Sequence, residues 1–170
     1  MNVRKNLGQA GFTMIELIVV ILILGILASI ALPKFYNLGG DARLAKIQGV
    51  EGSMKSALAI VYSAATVKGI TPAASAPGNT LTMSDGTVVN LAFNWPDASA
   101  GGIPNAAGFN STAGANQDGL NLTYNAAAGT LAIYPVGAQN SVNCTLTYTA
   151  GTAALGASVS LTAGASDTTC

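Results

Sequence analysis

The sequence predicts an α+β protein in which one long N-terminal helix packs on an antiparallel β-sheet of four to six strands. Three observations predict it: a nearly unbroken apolar run over residues 12–32, an amphipathic helical pattern after Pro33, and paired strand signals beyond Gly69. An antiparallel sheet needs a cover on one face, and the amphipathic helix supplies it. The apolar half of the helix is expected to protrude from this domain.

Composition limits the classes of function. Half of the 170 residues are apolar and 8% are charged, with seven basic and seven acidic side chains. A neutral chain offers no basic surface for nucleic acid, so no nucleic-acid partner is predicted. Histidine, the commonest general base and metal ligand, is absent. With no nucleophile–base pair, phosphate loop or cofactor motif, we predict no enzyme, no cofactor and no metal.

The apolar run has the length of a membrane span, since about 20 apolar residues cross a bilayer as a helix. Arg4 and Lys5 precede it, and positive charge keeps that end in the cytoplasm. The rest of the chain then faces the periplasm or the outside. In a secretory signal the small-residue cleavage site follows the apolar stretch. Here Ala10 and Gly11 come before it, so cleavage at Gly11 would leave the apolar segment on the mature protein.

Glu16 is a carboxylate near the start of this span, where an unpaired charge is costly. One interpretation places it close enough to the interface to stay wet. The other keeps the charge for a partner. A chain that begins at Phe12 after cleavage has a cationic α-amino group at almost the same depth. The Phe12 amine of a neighbouring subunit could neutralise Glu16, most strongly in the low-dielectric core of a filament.

Residues 11–17, Gly-Phe-Thr-Met-Ile-Glu-Leu, resemble the signature of type IV pilins, and the similarity continues to Pro33. In that family a prepilin peptidase cuts after the glycine and methylates the amine of the following phenylalanine. The resemblance implies the type IV pilin fold, cleavage between Gly11 and Phe12, and N-methylation of Phe12. It also implies that Glu16 pairs with the amine of an adjacent subunit during assembly.

Gly25 and Pro33 bracket the second part of the apolar run. Proline kinks or breaks a helix, and glycine is a weak helix former. In related filaments the stretch between the matching residues is locally unwound, so the resemblance implies a segment that can melt. A simple kink in a membrane helix is the alternative.

After Pro33, apolar residues recur at spacings of three and four, which defines one helical face. They are Ile47, Val50, Met54, Leu58, Val61 and Ala65. We expect the helix to end near Val67, with Lys68 and Gly69 as its stop. The stripe predicts core packing against a sheet.

Three hairpins are predicted beyond Gly69. Residues 81–83 and 87–91 flank Asp85-Gly86, a strong turn signal. The other two pairs are residues 120–124 with 130–136 and residues 144–149 with 158–162. Residues 93–119, rich in Gly, Asn, Pro and Ala, predict a long exposed connection. The predicted organisation is a leader at 1–11, a filament-core helix at 12–32, an amphipathic helix at 33–68 and a head at 69–170.

Cys144 and Cys170 are the only cysteines. In an oxidising compartment outside the cytoplasm, such a pair is expected to be bonded. Metal binding is a weak alternative with two thiols and no histidine, and redox catalysis needs a closer pair. A C-terminal disulfide loop is also a feature of type IV pilins, and these residues match it by position.

Two loop features remain open. Some pseudopilins bind calcium in a loop near the C-terminus, which would place a site at Asp118 or Asp167, although ordinary turn residues are the favoured interpretation. Trp95, with Phe93 and Pro96, could contact a surface or a sugar. Core packing is the favoured interpretation of Trp95.

Within the family, residues 33–97 most resemble the mannose-sensitive haemagglutinin pilins of Gram-negative bacteria. The matching stretches are 33–38, 41–43, 48–52 and 95–97. This resemblance implies a subunit of an extracellular pilus used in attachment, adhesion and biofilm formation. The alternatives are a pseudopilin of type II secretion and a subunit of a DNA-uptake pilus.

The resemblance also implies partners and locations. Further copies form a helical filament. The prepilin peptidase, an inner-membrane platform, motor ATPases and an outer-membrane channel process and assemble it. The precursor is expected in the inner membrane, with its N-terminus in the cytoplasm and its C-terminal domain in the periplasm. The assembled pilus is expected outside the cell.

Overall fold

The computed structural model describes residues 11–36, 38–75, 78–111, 113–115, 118–138 and 142–170. The chain divides into two units, an N-terminal unit up to Leu38 and a C-terminal unit over residues 39–170. Apart from Gly11, the leader predicted at residues 1–11 lies outside the described residues.

The N-terminal unit contains one helix, α1 (Met14–Tyr36). The stretch Met14–Leu32 is long and apolar enough to cross a membrane, as its composition predicted. Both Gly25 and Pro33 lie within α1 in this structure. A Cβ at Gly25 would meet no atom within 4 Å, so packing within the unit does not require a glycine there. Melting between Gly25 and Pro33 stays a prediction.

The C-terminal unit is built on α2 (Leu38–Val67). Its buried residues recur on one face, as the apolar pattern indicated: Gly40, Ile47, Met54, Ala57, Leu58, Val61 and Ala65. The helix ends in a Schellman motif around Gly69, whose φ is +66°. In this motif the Ile70 amide donates to the Ala65 carbonyl and the Gly69 amide donates to the Thr66 carbonyl.

Eight strands and a third helix follow in the described residues. They are β1 (Thr80–Thr82), β2 (Val88–Ala92), β3 (Trp95–Pro96), α3 (Ile103–Ala107), β4 (Gly114–Ala115), β5 (Leu120–Asn125), β6 (Thr130–Pro135), β7 (Leu146–Thr149) and β8 (Ser158–Leu161). β1–β3 form one antiparallel sheet and β4–β8 another, each in sequence order. The α+β class is confirmed. The five-stranded sheet lies within the predicted four to six strands, and the structure adds a second, three-stranded sheet.

The two sheets pack on different parts of α2. Ile47, Met54 and Leu58 share a core with buried side chains of the five-stranded sheet, including Leu122 and Ile133. Farther along the helix a second apolar cluster involves the three-stranded sheet: Val61, Ala65, Leu81, Val89 and Leu91. One helical face thus covers both sheets, which is why the apolar stripe extends over most of α2.

The three predicted hairpins are present. In the first, β1 pairs with β2 across the Asp85-Gly86 turn, and Gly86 has a φ of +86°. The Asp85 carboxylate accepts a hydrogen bond from the Thr87 amide at 2.9 Å. This bond favours the charged carboxylate and lowers the pKa of Asp85.

The long exposed connection predicted at residues 93–119 is wrong. This stretch contains β3, α3 and β4, and it buries Ala98 and Ile103. Phe93 and Asn94 form the two-residue turn between β2 and β3, with φ values of +50° and +67°. Positive φ at both positions is typical of a type I′ turn, which favours Asn and Gly. Phe93 occupies the first of these two positions, so the sequence lacks the usual Asn-Gly signal for this turn.

The disulfide between Cys144 and Cys170 is confirmed. The two Cα atoms are 5.1 Å apart, and both residues are fully buried. Arg43, near the start of α2, donates a hydrogen bond from Nη1 to the Cys170 carbonyl at 3.1 Å. The bonded loop therefore lies against the first turns of α2.

Replacing Gly40 with Ala is expected to destabilise the C-terminal unit. A Cβ at Gly40 would lie 1.8 Å from the backbone carbonyl oxygen of Asp167. Backbone cannot rotate away as a side chain can, so the disulfide loop would have to move. We expect the free energy of unfolding to fall by about 1–3 kcal/mol, measured by urea denaturation.

Gly52→Ala is the matched control for this prediction. It lies on the same helix, where a Cβ would meet no atom within 4 Å. Helix propensity alone then predicts stabilisation by about 1 kcal/mol. Equal effects at Gly40 and Gly52 would contradict the proposed packing role of Gly40.

Tyr148 should make the protein sensitive to alkaline pH. It is fully buried, its hydroxyl donates to the Pro96 carbonyl, and burial and then the negative charge of Asp97 raise its pKa. Above about pH 10 the unfolded tyrosine loses its proton while the folded one keeps it. The free energy of unfolding should therefore fall by up to about 1.4 kcal/mol per pH unit above pH 10.

Urea unfolding between pH 8 and 11 measures this slope. Tyr148→Phe should be less stable at pH 8 by about 1 kcal/mol, because the Pro96 carbonyl loses its donor. Its stability should also fall less steeply above pH 10. Some slope will remain, since burial raises the pKa of Tyr124 as well. An unchanged slope in Tyr148→Phe would refute the assignment.

Candidate functional site

The start of α1 is closed by a capping box between Thr13 and Glu16. Glu16 Oε2 accepts hydrogen bonds from the Thr13 amide at 2.8 Å and the Thr13 hydroxyl at 2.7 Å. In return, the Glu16 amide donates to Thr13 Oγ1 at 3.3 Å. This reciprocal pattern is the one that Ser/Thr-x-x-Glu sequences form at helix N-termini. The Thr-x-x-Glu spacing is readable in the sequence, but Glu16 was interpreted there only as an interfacial charge or as the partner of a neighbouring subunit.

The carboxylate of Glu16 still has capacity for a partner. Both hydrogen bonds from Thr13 reach Oε2, while a carboxylate can accept on two oxygens. In the described part of the chain, no donor contacts Oε1. The local cap therefore leaves one carboxylate oxygen of Glu16 available to a partner.

Phe12 lies next to Glu16 at the same end of α1. The Phe12 side chain is 92% exposed, and Gly11 is exposed beside it. Phe12, Ile15, Glu16, Val19 and Val20 border a shallow apolar hollow of about 320 Å³. The structure thus brings the predicted cleavage, methylation and assembly residues together on one exposed helix end.

Apolar side chains line α1 without cover from their own unit. Among the large apolar side chains from Met14 to Leu32, exposed fractions range from 48% at Val19 to 81% at Met14. Soluble monomers rarely expose so large a continuous apolar surface, which marks a membrane or protein contact. This apolar surface is suited to burial in a bilayer or against another protein.

The two aspartates considered as calcium ligands, Asp118 and Asp167, belong to the C-terminal unit. Asp118 accepts from the Asn110 amide at 2.7 Å, and its carbonyl accepts from Lys46. Asp167 accepts from the Thr168 amide at 2.9 Å. No group of three or more acidic, cysteine or histidine side chains suited to a metal occurs among the residues the structure covers. Both aspartates take part in local turns.

Trp95 is half-buried, and it packs against the core that the five-stranded sheet shares with α2. Its ring stacks on Tyr62 of α2, with 4.2 Å between ring centroids. Core packing, the favoured interpretation, is therefore the main role of the ring. The cavity beside the ring has no signal in the sequence.

Comparison with known proteins gives one family match, to the prokaryotic N-terminal methylation motif at residues 6–32. The chain is 38% identical over 82 residues to fimbrial protein EcpC of Eikenella corrodens, covering 48% of this chain and 52% of the relative. It is 39% identical over 73 residues to the type IV major alpha-pilin of Moraxella bovis, covering 43% of each.

A further relative is the type IV narrow pilus major component PilA5 of Thermus thermophilus. It is 46% identical over 50 residues, which cover 29% of this chain and 43% of the relative. The chain thus spans about half the length, or less, of these relatives. No solved structure matches the chain.

All three relatives are named as fimbrial or pilus proteins. The similarity to these relatives agrees with the match to the N-terminal methylation motif. Over part of its length, the chain is therefore similar to type IV pilins and fimbrial proteins.

Proposed function

We propose that this chain is the subunit of a type IV pilus and polymerises through α1. The observation that carries the proposal is an apolar helix of membrane-spanning length whose side chains stay exposed within their own unit. Before assembly the inner membrane would cover this surface. In the filament, the helices of neighbouring copies would cover it, so assembly exchanges one apolar environment for another.

Processing creates the charge that assembly needs. Cleavage between Gly11 and Phe12 by the prepilin peptidase would free the Phe12 amine, and methylation would leave it cationic. An amine so close to the start of α1 can meet a carboxylate at the same depth on a neighbouring copy. We propose that Glu16 is that carboxylate and that the pairing aligns each incoming subunit.

The stretch from Gly25 to Pro33 is the proposed melting segment. It is helical in this structure, but proline supplies no amide donor to the helix and glycine destabilises it. Local unwinding in the filament would let the C-terminal unit adjust to its neighbours while α1 stays anchored. The motor ATPases, membrane platform and outer-membrane channel of the assembly machinery would extrude the product.

The finer assignment is an attachment pilus of the mannose-sensitive haemagglutinin group, used in adhesion and biofilm formation. The stretches at 33–38 and 95–97 support it through resemblance. The bonded Cys144–Cys170 loop favours a pilus subunit over a secretion pseudopilin with a calcium loop. The neutral charge lends no support to a DNA-uptake role.

Mass spectrometry of filaments sheared from cells tests the proposal. We expect an abundant chain that begins at N-methylated Phe12 and is two hydrogens lighter because of the disulfide. Its location in the sheared fraction would establish an extracellular pilin. A chain confined to the membrane fraction would refute the filament role and leave a membrane-anchored, pseudopilin-like protein.

A further inference from the structure

A cavity of about 320 Å³ opens on the C-terminal unit, lined by the loop after β3, the β5–β6 hairpin and Ala150. We call it the Asp97 cavity. Its wall is mostly apolar, because four alanines and Tyr124 contribute to it. Asp97 is the one charged residue among those that the structure describes in this wall. The cavity therefore combines an apolar surface with a single negative charge.

Two serines place the Asp97 carboxylate at the wall of this cavity. The Ser75 hydroxyl donates to Oδ2 at 2.7 Å, and the Ser99 hydroxyl and amide both donate to Oδ1, the amide at 2.9 Å. Both serines line the cavity as well, so the carboxylate between them lies at its edge. Asp97 keeps 6% of its surface accessible. A ligand in the cavity can therefore reach this group while most of the side chain stays out of water.

The two carboxylate oxygens differ in their capacity for a further partner. Oδ1 already accepts two hydrogen bonds, and a Cβ at Gly102 would lie 2.1 Å from it. Oδ2 accepts one bond, from the exposed Ser75, although a carboxylate oxygen can accept two. Backbone hydrogen bonds to Asn90 and Ile103 hold Asp97 in place. Oδ2 is thus an acceptor that needs little ordering when a ligand binds.

No basic side chain of the C-terminal unit compensates this charge. Residues 69–170 contain no lysine or arginine. The four basic residues of α2 contact other groups. They are Arg43, Lys46, Lys55 and Lys68. In the part of the chain that the structure describes, no ion pair involves Asp97. Buried charges in proteins are normally paired, so this carboxylate calls for a cation from outside the unit.

We propose that the Asp97 cavity binds one alkylammonium ion, the protonated form of a primary amine on a short hydrocarbon chain. The ammonium would donate to Asp97 Oδ2, and the chain would lie against the alanines of the wall. Tyr124 adds an aromatic ring, which also attracts cations. The volume lies at the lower end of the range for small-molecule sites, which suits a short chain. A neutral ligand would leave the charge unpaired, and an anion would be repelled.

NMR on the full chain in micelles of a nonionic detergent tests this proposal. n-Butylammonium is titrated, and n-butanol, which has the same chain without the charge, is the comparison. We expect saturable shifts of the Ser99 and Gly129 amide signals, with a Kd of about 1 mM for butylammonium. n-Butanol should bind at least about tenfold more weakly. Binding is measured on the purified chain, so it does not depend on the pilus role proposed above.

Alkylammonium groups occur in free amines and in the lysine side chains of a partner protein. Nα-acetyl-lysine methylamide is therefore titrated beside n-butylammonium. Tighter binding of the lysine derivative would assign the site to a protein partner, and tighter binding of butylammonium would assign it to a free amine. Either result supports an alkylammonium site.

Asp97→Asn removes the charge and keeps an oxygen for the Ser99 amide. We expect it to weaken butylammonium binding by about tenfold or more and to leave n-butanol binding unchanged. Asp85→Asn is the matched control. Asp85 likewise accepts from an amide two residues ahead at 2.9 Å, but it does not line the cavity, so its variant should bind like the unmodified chain.

Three results would overturn the proposal. They are no saturable shift up to about 50 mM butylammonium, far above the expected Kd, equal affinity for n-butanol, and unchanged affinity in Asp97→Asn. The second would reveal a merely apolar cavity, and the third a carboxylate that only caps its own loop. The first two are measured on the unmodified chain, so they are decisive even if Asp97→Asn folds poorly.

Discussion

Glu16→Gln is expected to reduce pilus assembly as severely as Glu16→Ala. Glutamine still forms the capping box with Thr13, so the start of α1 should remain intact while the charge is lost. A neighbouring subunit's Phe12 amine would then be left unpaired in the filament core. Removing one partner of a buried ion pair costs about 3–5 kcal/mol, so filament protein in the sheared fraction should fall by roughly 100-fold or more.

Thr13→Ala provides the complementary control. It removes the Thr13 hydroxyl, which donates to Glu16 Oε2 and accepts from the Glu16 amide, and it keeps the backbone amide donor and the carboxylate. Loss of an N-cap costs about 1 kcal/mol, so filament yield should fall much less than in Glu16→Gln. Intact mass must show cleavage after Gly11 in every variant, because a block in processing would also prevent assembly. Filaments at the normal level in Glu16→Gln would mean that Glu16 acts only as a cap.

The paired substitution of Cys144 and Cys170 by Ala is expected to have the largest effect on stability. The residues are 26 positions apart, and closing a loop of that length restricts the unfolded chain by about 3.5 kcal/mol on the entropy model. Alanine avoids burying a new polar group at two fully buried positions. The midpoint of thermal unfolding should fall by roughly 10 °C or more.

A reducing agent separates the bond from the side chains. Reduction of the unmodified chain should lower its unfolding midpoint toward that of the double variant, and the double variant should not respond. The same free energy of unfolding in both proteins, with and without reductant, would contradict the prediction. The contact between Gly40 and the Asp167 backbone predicts that the start of α2 loosens along with the loop, which hydrogen exchange at Arg43 would detect.

Local sequence signals predicted the helices and hairpins because each has a short-range physical cause. The apolar run of α1 is long enough to span a bilayer as a helix. The spacing of three and four places Met54, Leu58 and Val61 on one face of α2. Asp85-Gly86 supplies the positive φ that its turn needs. None of these features depends on distant residues.

The turn at Phe93 and Asn94 shows where local signals end. Phenylalanine at positive φ is unfavourable in isolation, so no local signal predicts a type I′ turn there. Two contacts next to the turn offset this unfavourable conformation. They are the β2–β3 pairing and the stacking of Trp95 on Tyr62, a residue distant in sequence. The cavity beside Trp95 arises from the same long-range packing.

Three features were predictable from local signals alone: the pilin-like N-terminal motif, the apolar helix and the cysteine pair. These follow from residue type and spacing along the chain. Long-range packing, by contrast, divides the strands into two sheets, requires Gly40 to lack a side chain and leaves a cavity beside Trp95. Each depends on atoms that come together only on folding, because close packing in the interior leaves room for one arrangement of the backbones.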